Sequence, residues 1–207
     1  MYLLVYNERR EVTVARPREF DLDAATDKAL RVFWEKGYEA TSLSDLTEAI
    51  GINRPSFYAA FQSKEALFHR VLDRYAEGPG APVAAALSAG TAREVVARLL
   101  AFHADAAGDP ARPSGCLLVQ GALACSEESH GVRDELTKRR HAGERALRER
   151  LKRAKAQGDL GEDANAADLA RYVWTFCQGM AVQAAGGASR ADLRRIAAQV
   201  LKSWPSK

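Results

Sequence analysis

Cysteine is scarce in this chain: Cys116, Cys125 and Cys177 are the three among 207 residues, and none share a CxxC spacing. That excludes a disulfide framework and a zinc ribbon and fits a reducing, cytoplasmic setting. No apolar run approaches the ~18–20 residues of a membrane span, so no membrane partner is expected. The opening residues 1–13, MYLLVYNERREVT, have too short an apolar run for a signal peptide, with no basic residue before it and no small-residue cleavage site after it. Catalytic signatures are missing as well. There is no nucleophile elbow, phosphate-binding glycine loop, HExxH or paired-carboxylate arrangement, and the Cys and His spacings match no familiar metal site. An enzyme is therefore not expected, nor a metal or cofactor. Net charge is only +3, which alone says little about a nucleic-acid partner.

What is present is helical patterning, in a chain with 47% apolar and 28% charged residues. Its length suits one or two domains and is ample to bury a core. The stretch from Thr41 to Leu67, TSLSDLTEAIGINRPSFYAAFQSKEAL, carries dense punctuation. Ser42 with Asp45 forms a capping-box signature, and Leu43, Leu46 and Ile50 follow at helical spacing. Gly51 supplies the stop, Asn53 caps the next helix with Pro55 in its first turn, and Ser63 caps a third. Two short helices about a tight turn are the unit that presents a recognition helix to the DNA major groove.

From about Arg16 to about Ala76 the chain resembles the tetracycline-repressor (TetR) family of bacterial transcriptional regulators. The resemblance rests on the Gly37–Tyr38 ending of a first helix, the turn Gly51–Ile52, the run Ser56-Phe57-Tyr58, and Phe61-x-Ser63-Lys64-Glu65. It implies an all-α fold, with an N-terminal three-helix DNA-binding domain and a C-terminal helical domain for ligand binding and dimerisation. The boundaries expected are residues 1–15 as an extension, 16–62 as the helix-turn-helix domain, 63–80 as a connecting helix, and 81–207 as the effector and dimerisation domain. The resemblance begins near Val14, so Val14 is read as the start and residues 1–13 as an upstream extension.

Side-chain reach assigns the DNA-binding candidates. Arg54 and Ser56 lie in the first turn of the recognition helix, where Arg is suited to guanine. Tyr58 has a hydroxyl at phosphate range, a role the resemblance also implies, and Lys64 matches the family's phosphate-binding lysine. Phe57 has two readings, as a core anchor or as a contact to a thymine methyl group; Phe61 is read as a core anchor. Thr41 and Ser44 are expected to touch the backbone from the preceding helix. Asn53 is a cap first and a contact second, and Arg16 and Arg18 form a short basic arm. Residues 14–77 hold nine Lys/Arg against eleven Asp/Glu, so positive charge must be concentrated locally for phosphate binding.

Beyond Tyr75 the run Gly78-Pro79-Gly80-Ala81-Pro82 breaks the connecting helix and leaves Val83 to Ala89 as a separate piece. Thr91 with Glu94 opens another helix. The apolar stretch 115–126, GCLLVQGALACS, is expected to be a helix buried in the centre of the second domain. Its Gly-Cys-Leu-Leu start resembles a branch of the family in which this helix lines the effector pocket. A long helix over about 131–157 follows, with ten Lys/Arg against four Asp/Glu between 133 and 155, read as a solvated face. Two apolar closing helices, 165–186 and 189–204, suggest a homodimer through a four-helix bundle, matching a palindromic double-stranded operator.

Candidates for a small-molecule effector are Tyr75, Phe102, His103, Cys116, Gln120, Trp174, Phe176, Cys177 and Gln178, polar or aromatic residues on otherwise apolar helices. The function expected is a ligand-responsive DNA-binding repressor. The alternatives are a redox or electrophile sensor acting through Cys116, and a regulator that binds a ligand or protein and no longer DNA.

Overall fold

The computed structural model describes residues 20–121 and 126–205. The expectations for residues 1–13, Arg16, Arg18 and Cys125 fall outside those residues. Among the described residues the fold is helical throughout: α1 Leu22–Ala40, α2 Leu43–Ile50, α3 Arg54–Phe61, α4 Lys64–Glu77, α5 Ala81–Ala86, α6 Ala92–Asp105, α7 Leu117–Gln120, α8 His130–Ala156, α9 Ala166–Ala185 and α10 Arg190–Lys202.

Local chemistry sets most of these boundaries. Asp21, Ser42, Asn53, Ser63, Thr91, Asn165 and Ser189 each cap the helix that follows, with reciprocal boxes at Ser42–Asp45, Thr91–Glu94 and Ser189–Asp192. Gly51 ends α2 in the left-handed region, at φ 86°. Pro82 opens α5 instead of ending a break, because a first-turn proline forfeits no intrahelical bond; the piece expected from Val83 accordingly runs Ala81–Ala86. Between α3 and α4 the chain makes a rare γ-turn at Gln62 (φ 66°, ψ −49°), where Ser63 N donates to Phe61 O at 2.7 Å.

Two apolar clusters form. The first joins α1 to α4 through Phe33, Trp34, Tyr38, Leu46, Phe57, Phe61, Phe68 and Tyr75, and takes in Leu117, Val132 and Leu136 from further along the chain. Most of its rings meet edge-on or tilted, as at Phe33–Phe68 (4.9 Å) and Trp34–Tyr75 (5.0 Å), while Phe33 and Tyr38 stack, each pair contributing about 0.5–1.5 kcal/mol beyond its buried area. On α1 the buried face is Ala25, Ala29, Leu30, Phe33 and Trp34, while Leu22 at its start is exposed. The second cluster packs α5, α6, α8, α9 and α10.

Two expectations are corrected. The apolar stretch 115–126 contains only the four-residue α7 among the described residues, and Leu117 packs into the N-terminal cluster. Gly115, at φ 88°, turns the chain before it. The basic helix α8 is also less solvated than its charge suggests. Arg150 is buried and donates to the carbonyls of Ala89 and Gly90 at 2.8 Å each, and Arg140 donates to Leu118 O at 3.1 Å.

Gly143 of α8 faces the indole of Trp174 on α9. A Cβ there would stand 2.3 Å from Cζ2 and 2.5 Å from Cη2, inside the repulsive wall of a ring too rigid to yield. Gly143→Ala is expected to destabilise the protein by about 1–3 kcal/mol, despite the better helix propensity of alanine, as read by urea denaturation.

Candidate nucleic-acid interface and cavity

The surface built by α2 and α3 is polar and exposed over an apolar floor. Arg54, Ser56 and Tyr58 on α3 are exposed, Tyr58 to 52%. Arg54 Nη2 donates to Ser44 Oγ at 3.3 Å, so the first turns of the two helices share one polar patch. Asn53 Oδ1 accepts from Ser56 N at 2.9 Å, which is the capping role expected. Lys64, at the start of α4, lays its ammonium over the Tyr38 ring, 4.3 Å from the centroid. Partial burial lowers its pKa, while Glu39 and Asp45 pull the other way.

Two of the expected contacts are not on this surface. Phe57 is fully buried against Phe61 and Tyr58, so of its two readings the core anchor holds and the thymine-methyl contact does not. Thr41 is fully buried too, its hydroxyl donating to Gly37 O at 2.6 Å at the end of α1. The hydroxyl closes a helix end there instead of facing outward.

Other basic residues of the N-terminal unit are engaged elsewhere. Arg74 forms a bidentate pair with Asp27 (2.6 and 2.8 Å), Arg70 lies 3.9 Å from Asp23, and Arg31 pairs with Glu35. Lys36 holds Asp45 at 2.7 Å and, with the Ser42 backbone, brings that carboxyl down to about 2. Lys28 donates to Ile50 O at the end of α2. Among the described residues, Arg54 and Lys64 are thus the basic side chains left beside the exposed face of α3.

A second feature lies behind this unit. A cavity of about 340 Å³ is bounded by the end of α4 (Leu72, Tyr75, Ala76), by α5, by Phe102 and His103 of α6, by Cys116 and Leu118, by α8 and by Trp174. Of the expected effector residues it brings together Tyr75, Phe102, His103, Cys116 and Trp174. Tyr75 donates its hydroxyl to Cys116 Sγ at 3.4 Å, and burial pushes the phenol well above its ordinary range. His103 Nδ1 lies 2.8 Å from Leu99 O, and desolvation pulls the imidazole below the usual histidine range.

The other four lie elsewhere. Gln120 borders a separate groove beside Gly37 and Tyr38, its Oε1 buried without a partner. Phe176 faces the opposite side of α9, where it borders a shallow groove with Thr175, Gly179, Met180, Gln183 and Ile196; two residues from Trp174 is roughly half a helical turn. Gln178 is half-buried and off the cavity wall. Cys177 is fully enclosed in the C-terminal core, its thiol pushed up to about 12 by burial, which leaves it inert as a nucleophile.

Sequence reasoning missed the α8 wall. Arg139, Ala142, Gly143 and Ala146 line the cavity at i, i+3, i+4 and i+7, one helical stripe of mostly small residues that large-apolar periodicity does not flag. Arg139 also ties the cavity to α4, its Nη2 donating to Asp73 at 2.7 Å and its Nε to Glu135 at 2.7 Å.

Comparison with known proteins gives two family matches. Residues 25–71 match the profile of bacterial regulatory proteins of the tetR family, and residues 93–200 match the tetracyclin repressor-like C-terminal domain. The chain is 37% identical over 192 residues to the HTH-type transcriptional repressor ComR of Escherichia coli K12, covering 92% of this chain and 91% of that protein. It is 34% identical over 162 residues to the uncharacterised HTH-type regulator YezE of Bacillus subtilis, covering 77% and 84%. Among solved structures, a cysteine mutant of the TetR family regulator CifR in complex with 26-base-pair operator DNA superimposes with a TM-score of 0.87. It shares 42% identity, over 92% of this chain and all of that one.

The contrast between neighbours on α3 is testable. Phe57→Ala is expected to cost about 3–5 kcal/mol of stability, and Tyr58→Phe to stay within about 0.5 kcal/mol, both measured by urea denaturation.

Proposed function

The chain belongs to the TetR family of bacterial regulatory proteins and is a DNA-binding transcriptional repressor; from that premise we propose that it works as a homodimer, released from a two-fold operator by a small molecule held in the α4–α9 cavity. The observation that carries the reading is the shared helix α4. Its apolar face is fixed in the core under α2 and α3, and its last turn is a wall of the cavity. A ligand that moved Tyr75 or Arg139 would act on the helix to which the reading head is bound.

At the operator, Arg54 reaches a base edge from the first turn of α3, Ser56 lies beside it, and the Tyr58 hydroxyl and Lys64 ammonium take phosphates. Ser44 holds Arg54 from α2. The helix N-termini at Leu43, Arg54 and Lys64 add free amides and partial positive charge. Dimerisation through α9 and α10 is supported by the apolar side chains those helices leave outward. Val182 (44%), Tyr172 (39%) and Ile196 (37%) are among the most exposed large apolar residues described, and Phe176 borders the groove between them. A helix pair of this kind needs a cover, and a second copy supplies it with the two-fold symmetry a palindromic operator requires.

One observation favours a second reading of the trigger. Cys116 lies on the cavity wall, partly exposed, with the Tyr75 hydroxyl on its sulfur, so an electrophile entering the cavity would meet a thiol there.

Mobility shift of a DNA fragment spanning the promoter beside its gene, at two salt concentrations, tests the operator reading. The native protein is expected to bind more weakly at higher salt, and Arg54→Ala to lose about 10-fold or more in affinity. Binding that Arg54→Ala leaves intact refutes the assignment. Sedimentation tests the assembly: the native chain is expected as a dimer and the Val182→Glu, Ile196→Glu double variant as a folded monomer, judged by unchanged far-ultraviolet dichroism.

A further inference from the structure

The effector cavity has a chemistry of its own. Its wall is apolar over most of its extent, with Leu72, Val83, Leu87, Phe102 and Leu118 among the side chains that face the space. Among the described residues no aspartate or glutamate lines it, so an organic cation would find no counter-charge there. Arg139 is the one charged residue on the wall among the described residues, and two carboxylates, Asp73 and Glu135, already hold it at 2.7 Å each. An anion reaching for that guanidinium would have to compete with both, while losing its own water.

The uncharged polar groups point the same way. Leu99 O can only accept, so the 2.8 Å contact fixes the proton of His103 on Nδ1. In the neutral ring, which the dense surroundings favour, Nε2 is then a bare acceptor. Tyr75 gives its proton to Cys116 Sγ, and the Leu117 backbone N–H already leans on the phenol oxygen, so it brings no free donor to the wall. Trp174 carries an N–H, but that nitrogen is buried away from the open space and has no acceptor. Among the described residues the wall thus offers His103 Nε2 as an acceptor and lacks a free strong donor other than the paired guanidinium.

We infer that the cavity takes an uncharged, largely apolar molecule bearing a hydroxyl group, an alcohol or phenol of about a dozen non-hydrogen atoms, whose O–H donates to His103 Nε2. The inference rests on the effector reading given above. Size follows from the volume of about 340 Å³, and the hydroxyl from the acceptor left unused on a wall that is otherwise oil-like. Ethers and ketones of the same shape bring no proton to that acceptor and leave it unpaired.

Isothermal titration of the full chain near neutral pH separates the classes, using 2-naphthol, 2-methoxynaphthalene, 2-naphthoate and 2-naphthylmethylammonium. The naphthol is expected to bind about 2- to 10-fold more tightly than the methyl ether, the range set by one net hydrogen bond, and both ions more weakly than the ether. His103→Phe is expected to equalise naphthol and ether while still binding the ether, which shows that the variant is folded. Equal affinities in the native protein, tighter binding of either ion, or no heat from the naphthol at about 1 mM (a free energy near −4 kcal/mol) overturns the proposal. Operator release is read separately by mobility shift. Naphthol bound with the operator still held refutes the effector role and leaves the ligand class standing, whereas release by the naphthoate alone refutes the class and leaves the effector role.

Discussion

Everything in this molecule depends on α4 serving the N-terminal core and the cavity wall at once. Leu67, Phe68 and Val71 are locked among the rings of α1 and under the recognition helix, while Leu72 and Tyr75, a turn further on, close the cavity. Protein interiors pack too densely to deform by degrees, so the two regions share a rigid element and cannot move independently. Leu117, Val132 and Leu136 deepen the arrangement by inserting residues from the C-terminal half into the N-terminal cluster. The boundary between DNA-reading unit and cavity is therefore a shared surface and not a linker.

Charge obeys the same economy of placement. The N-terminal unit holds more carboxylates than basic groups, an awkward balance for a protein that grips phosphates. Pairing resolves it: Asp23, Asp27 and Glu35 are matched to Arg70, Arg74 and Arg31 along α1 and α4, and Asp45 is matched to Lys36. Such exposed pairs contribute little to stability. Among the described residues, their effect is to leave free positive charge near Arg54 and Lys64, where helix N-termini reinforce it.

Much of the fold was legible because its signals are local. A Ser, Thr, Asn or Asp at a helix start and its partner three residues on fix a boundary wherever the chain lies, and the caps at Ser42, Asn53, Ser63 and Thr91 all did so. Rotation of one helix against another is not local. Phe57 and Tyr58 are adjacent letters with opposite fates, and only the packing of α3 against α2 and α4 decides which faces out. The same blindness put Phe176, Cys177 and Gln178 beside Trp174 on paper, although α9 directs only Trp174 to the cavity. Small residues were the other gap. Ala142, Gly143 and Ala146 carry no periodic apolar signal, and Arg139 read as one more charge on a basic helix because its partner Asp73 lies 66 positions away in the chain.

Those small side chains have a consequence of their own. Ala76, Ala84, Ala142 and Ala146 border the open space, and none of them belongs to the aromatic cluster that positions α3. Enlarging any one of them trims the chamber without disturbing the grip on DNA. On the effector reading proposed above, reader and receptor can therefore be retuned separately by single substitutions, so that a lineage keeping one operator is free to change the molecule to which it answers.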